Sequence, residues 1–228
     1  MPCRIARPAQ QGLITLTIGQ WIDPETGNNL SHQTIIENAS GSSAVLLGEK
    51  HDEAAQHRWQ LHVAAGLLAR HDNIAMGFEM FPARLDPVLA EWVNGELSEE
   101  AFLEKAEWGT VWGFPPELYL PLFRFCRQFR VPMHGLNCRR ALVTEVGKLG
   151  WENIPEADRD GLTPAAPATP EFRKWIFGFM GGNLPMAGAL TGPEDPKLDR
   201  FCRAQQTWDR SFACRIADIR TQKNPPLV

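Results

Sequence analysis

The sequence predicts an α/β fold with a mostly parallel central sheet and helices on both of its faces. Three observations carry this. A short, wholly apolar run at Ala44–Leu47 and largely apolar runs at Ile74–Met80 and Val131–Leu136 read as strands covered on both sides. Stretches with helical apolar periodicity fill the intervals between those runs. The alternation of the two implies β-α-β units with right-handed crossovers.

The elements follow in order. Leu13–Ile18 is an alternating Leu/Thr/Ile run, read as a first strand. Asp23-Pro-Glu-Thr-Gly27 marks a turn, and Ser31 is placed to cap a short helix running through Glu37. After the Ala44–Leu47 run, a helix is expected over Ala54–Arg70, with Trp59, Leu61, Ala65 and Leu68 on its apolar positions. Pro82 closes the second strand, and helical patterns follow at Asp86–Val93, Glu99–Ala106 and Glu117–Phe129. Beyond the third strand come helices at Arg140–Leu149, Glu171–Met180 and Pro196–Arg220, the first two separated by a Pro/Ala-rich loop at Thr163–Pro170. Pro226-Leu-Val228 reads as the opening of another strand. The expectation is a sheet that needs this strand and a C-terminus that cuts it short.

With 228 residues the chain has room for one large core. An apolar fraction of 43% and eight Trp identify a folded globular protein. The net charge is −4 with no basic stripe, which argues against nucleic acid as a partner. No apolar run approaches the roughly 20 residues of a membrane helix. Met1–Gln11 is polar and lacks the apolar stretch of a secretory signal. The expected location is therefore cytoplasmic, or the cell envelope if a leader has been removed. Five Cys without metal-type spacing read as reduced and structural.

Ligands of open α/β sheets bind at the carboxyl ends of the strands. Three strands here end in polar residues: Gly48-Glu-Lys-His-Asp52, Glu79 within Gly77-Phe-Glu-Met-Phe81, and His134-Gly-Leu-Asn137 followed by Arg139. Glu79 interrupts an apolar strand, and a buried carboxylate is costly unless paired or metal-bound. Glu49, His51 and Glu79 could together hold a divalent metal ion and activate water. Alternatively His51 is a general base oriented by a carboxylate. Asn137 or Arg139 would then stabilise developing negative charge. His57, six residues past His51, is within reach of the same place. The plainer alternatives are that Glu49 accepts N–H groups at the next helix start, that Glu79 pairs with Arg139 or Arg140, and that His134 is a core residue.

The motifs Trp21-Ile-Asp-Pro-Glu-Thr-Gly27, Leu46-Leu-Gly-Glu-Lys-His-Asp52 with His57 and Gln60, and Gly77-Phe-Glu-Met-Phe81 resemble those of the ChaN-like haem-binding uptake proteins. So do Trp112 with Tyr119, Leu136-Asn137 with Arg139, and Gln205-Gln-Thr-Trp-Asp209. These proteins share a superfamily with the Tiki proteases and erythromycin esterases. The resemblance spans residue 20 to the end, dividing the chain into residues 1–20, an N-terminal extension with the first strand, and a ChaN-like α/β domain over 21–228. It implies a haem- or iron-binding role in iron acquisition, with Tyr119, the single tyrosine, as the iron ligand. The Tiki and esterase branches imply a metal-assisted hydrolase of an ester or amide bond at Glu49, His51 and Glu79. Gln205 and Asp209 become neighbours of that cluster. A haem or a hydrolysable small molecule is the implied partner, and haem held between two subunits would make a homodimer.

Overall fold

The computed structural model describes residues 19–184 and 188–228. The strand expected at Leu13–Ile18 lies outside the described residues. The first elements are a two-residue antiparallel ribbon, β1 (Trp21–Ile22) with β2 (Asn29–Leu30). Its turn is the expected one: the Asp23 carboxylate accepts the Glu25 N–H at 2.8 Å. Helix α1 (His32–Ser40) begins where the Ser31 hydroxyl accepts the Thr34 N–H at 3.0 Å, a cap that contributes about 1 kcal/mol.

Helix α2 (Ala54–Leu68) precedes β3 (Met76–Pro82), and α3 (Asp86–Val93), α4 (Glu99–Lys105), α5 (Trp108–Val111) and α6 (Leu120–Phe129) come next. Strand β4 (Met133–Asn137), α7 (Arg140–Leu149), α8 (Pro170–Phe179), a second ribbon of β5 (Asn183–Leu184) with β6 (Gly188–Ala189), and α9 (Pro196–Ile219) complete the order. The helix expected over Glu117–Phe129 divides in two. A 3-10 turn at Pro116–Leu118 and a proline in the first turn of α6 set the break.

Strands β3 and β4 pair in parallel, with Met76 opposite Met133 and Phe78 opposite Gly135. The register then shifts before Pro82 meets Asn137. Two glycines permit the close approach. A Cβ on Gly135 would sit 2.6 Å from the Phe81 and Pro82 carbonyl oxygens, and one on Gly77 would meet the Leu136 side chain at 2.7 Å. On one face lies the main core, where Phe81, Phe102 and Phe123 are completely buried. Each such ring contributes about 1.5–3 kcal/mol by leaving water. On the other face α9 packs Phe212, Ile216 and Ile219 against Ala75 and Leu136. Its buried Ser211 hydroxyl donates to the Leu136 carbonyl at 2.8 Å. The fold is thus mixed α/β, a parallel pair with helices around it.

One expectation needs correcting. Ala44–Leu47 is extended but forms no strand ladder. Its one anchorage to a strand-like neighbour is at Val228, which accepts from the Val45 N–H at 2.8 Å and donates to the Ser43 carbonyl at 3.4 Å. Leu227, on its other side, bridges Ile74 in parallel. Leu227 and Val228 therefore lie between the 43–45 and 73–75 segments, as a strand there would. Beyond them the apolar run has no neighbour to pair with among the described residues, and Leu46 is 82% exposed.

Candidate functional site

Residues 48–53 cross from that extended run to the start of α2, and side chains of α2 sew them down. Gln60 Nε2 donates to the Leu47 carbonyl at 2.9 Å, and Gln56 accepts the Lys50 N–H. Glu53 caps the helix through the Ala55 N–H at 3.2 Å. Glu49 is thereby turned inward, where it is the hub of a four-residue knot.

The Glu49 Oε1 accepts the Tyr119 hydroxyl at 2.7 Å and faces His51 Nδ1 at 2.8 Å. His57 Nδ1 lies 2.9 Å from Oε2, at ion-pair distance but off a hydrogen-bond angle. The other His57 nitrogen, Nε2, is 3.1 Å from the His51 carbonyl. A carbonyl only accepts, so this assigns the Nε2 proton. His57 and Tyr119 are buried, at 3% and 1% exposure. Burial first, and then the bond to Glu49, raise the Tyr119 phenol well above its ordinary value. The expected tyrosine iron ligand therefore has its oxygen committed to Glu49 inside the protein.

His51 is the open member of the knot, its side chain 35% exposed. With Nδ1 on Glu49, its Nε2 has no hydrogen-bond partner among the described residues. The ring stands edge-on to Trp112, centroids 4.8 Å apart, and 5.0 Å from Phe114. The buried Trp112 indole N–H meets no acceptor in hydrogen-bond geometry. Phe114 was not foreseen from the sequence. Trp112 was legible only through its motif, and His57 through its six-residue spacing from His51.

Glu79 stays at the rim. By area it is exposed, yet protein crowds its flanks. That desolvation, aided by Glu49 and Asp209 and opposed by His51, raises its carboxyl above the ordinary range. Burial likewise raises Asp209. Glu79 does not close on Glu49 and His51 as a chelate. Among the described residues no group of three or more His, Cys, Asp or Glu is arranged to hold a metal ion. Both Glu49 oxygens are already engaged by His57 of α2, by Tyr119 just before α6 and by His51 of its own loop.

Asn137 and Arg139 do not point into the site. Asn137 Nδ2 donates to the Glu79 carbonyl at 3.1 Å and its Oδ1 accepts the Cys138 N–H at 2.9 Å, so it ties two strand ends together. Arg139 turns away to Asp160 at 2.6 Å and the Asp158 carbonyl at 2.9 Å. Neither is placed to stabilise an oxyanion beside His51. His134 is not an apolar-core histidine: its Nδ1 lies 3.4 Å from Asp86. Below Glu49 and Glu79 a cavity of about 420 Å³ opens between the extended run and β3. No helix among the described residues is long and apolar enough to cross a membrane.

Residues 35–228 match the family model described as haem-binding uptake, Tiki superfamily, ChaN. A solved structure titled as cofacial haem binding to ChaN of Campylobacter jejuni shares the fold. It aligns with a TM-score of 0.63 at 22% identity, over 90% of this chain and 76% of that one. No curated protein matches the chain.

Proposed function

The chain belongs to the ChaN-type haem-binding uptake family of the Tiki superfamily, and from that premise we propose that it binds haem, in iron handling, and that His51 Nε2 would hold the iron. The observation that carries the reading is the carboxylate behind that imidazole. A histidine whose Nδ1–H is held by a carboxylate is fixed in tautomer and made a better donor at Nε2, which is how metal-ligating histidines are ordinarily supported. Glu49 supplies that carboxylate at 2.8 Å.

The surroundings fit the group. Trp112 and Phe114 offer adjoining apolar ring surface beside His51. Haem would supply the iron; the protein supplies the nitrogen, the ring wall and the buried Glu49–His57–Tyr119 support. Tyr119 acts through Glu49 in this reading and does not touch the iron. A face with one exposed histidine leaves one side of the porphyrin uncovered, and a second copy of the chain is the proposed cover.

Haemin titration tests the assignment. Saturable binding with a Soret band is expected for the intact chain, with loss of the band in His51→Ala and its retention in Tyr119→Phe. The reverse pattern, loss in Tyr119→Phe and retention in His51→Ala, would return the ligand to the phenol. Sedimentation with and without haemin checks the second copy.

A further inference from the structure

A second cavity, of about 300 Å³, lies along α9 and shares no lining residue with the one below Glu49. Its floor is one face of that helix. Asp199, Cys202, Arg203 and Gln206 follow at the three- and four-residue spacing that stacks side chains on one side. Val146 of α7, Trp151 in the 3-10 turn after it, and Pro167 of the Pro/Ala-rich loop are apolar walls. Helix α8 contributes Arg173 beside Asp199.

Arg173 is 9% exposed, and its guanidinium is under-used. Its Nη1 donates to Asp199. The buried Nε–H meets no acceptor in hydrogen-bond geometry. Glu194 stands 3.7 Å from Nε, an ion-pair distance, but its side chain is 81% exposed. A buried donor without an acceptor bears its full desolvation cost. Arg203 is a second fixed cation. Its guanidinium donates to the Val146 and Gly147 carbonyls at 3.3 and 2.7 Å, neutral partners that leave its charge uncompensated. The Cys202 sulfur registers the balance: burial pushes its thiol up, Arg173 and Arg203 pull it down, and Asp199 opposes them. Two guanidinium groups therefore act on one point of the floor with one carboxylate against them. Glu152, the other acidic lining residue, is exposed to water.

We propose that this cavity is a binding site for a small organic monocarboxylate with a flat apolar body. The carboxylate accepts the Arg173 Nε–H and offsets the surplus positive charge, a task suited to a guanidinium. The body lies against Val146, Trp151 and Pro167, above Cys202. A second negative charge on the ligand is disfavoured, because Asp199 stays on Arg173 and the apolar walls cannot solvate it. The site owes nothing to haem.

Nitrogen-15 NMR of the intact chain, titrated with phenylacetate, tests it. The Arg173 Nε–H signal, assigned by its loss in Arg173→Lys, is expected to shift saturably. Phenylacetamide, of the same shape without the charge, should bind about tenfold more weakly or worse. Gln206→Glu sets a second carboxylate on the floor at a partly exposed position. It should weaken phenylacetate about tenfold while leaving the unfolding midpoint in place. Absence of a saturable shift at Arg173 overturns the proposal. So does equal binding of the amide, or undiminished phenylacetate binding in Gln206→Glu. No arm contains haemin, so the haem reading holds or fails separately.

Discussion

Glu49 and Asp86 each bind a histidine, and the two carboxylates do different work. Asp86 opens α3 and accepts the Gly135 N–H at 2.8 Å, the Arg215 guanidinium at 2.5 Å and, at the limit of a hydrogen bond, His134 at 3.4 Å. It ties α3, β4 and α9 into one body. Glu49 ties a loop to α2 and α6 through His57 and Tyr119, and still presents a second imidazole outward. The lesson is that a carboxylate–histidine pair is not a site on its own account. At Asp86 a guanidinium and a backbone amide absorb the charge. At Glu49 the partners are two imidazoles and a phenol, and one ring nitrogen remains for a ligand.

Five variants sharpen or break this contrast. Asp86→Ala has the largest expected effect on the fold, a loss of about 2–3 kcal/mol in urea unfolding, because it strands a guanidinium and a buried N–H together. Haemin affinity of the folded fraction should hold. Glu49→Gln is expected to invert the pattern, weakening haemin about 10–100-fold, as removal of outer support does at metal-binding histidines, with a smaller stability loss. Equal stability losses in the two variants, with haemin affinity untouched in both, would erase the distinction. Tyr119→Phe comes next, at about 1.5 kcal/mol of stability for one charge-assisted bond.

The smallest effects are in pH dependence, where the two regions carry opposite signs. Burial pushes Asp86 up, but His134, the Gly135 amide and Arg215 outweigh it and leave the carboxyl below its ordinary value. Its stabilisation is therefore complete above the unfolded carboxylate range and is lost as pH falls through the depressed value. Glu79 is raised, so its ionisation costs stability as pH climbs through that value. Acid titration of stability should flatten in Asp86→Asn. In Glu79→Gln the protein should gain slightly at neutral pH and lose nothing in acid.

Much of the fold was legible because its signals are local. The Ser31 cap, the Asp23 turn and the apolar periodicity of α7 and α9 rest on neighbours a few residues away, whereas the face α2 buries is His57, Val63, Ala64 and Leu67 rather than the expected Trp59, Leu61, Ala65 and Leu68. The runs at 74–80 and 131–136 proved to be strands, whereas Ala44–Leu47, of equal apolarity, did not. A ladder needs a partner, and partnership is a property of distant chain. Two-residue ribbons such as β1–β2 are too short for any period to register. The site divides the same way. The loop holding Glu49 and His51 was readable from its place after an apolar run. A position at a strand end does not fix where a side chain turns, and Arg139 pairs with Asp160. Phe114 reaches His51 only through the packing of α5 and the turn after it.

The closure around Ser43 has a kinetic side. Arg220 donates to the Ser43 carbonyl across 177 residues of sequence, and the Val45–Val228 bonds are similarly remote. Contacts of that span bear the full loop-closure entropy before returning any enthalpy. The helices and the β3–β4 pair can therefore condense early, while the 43–49 segment, and with it the seat of His51, should be the last region to lock during refolding.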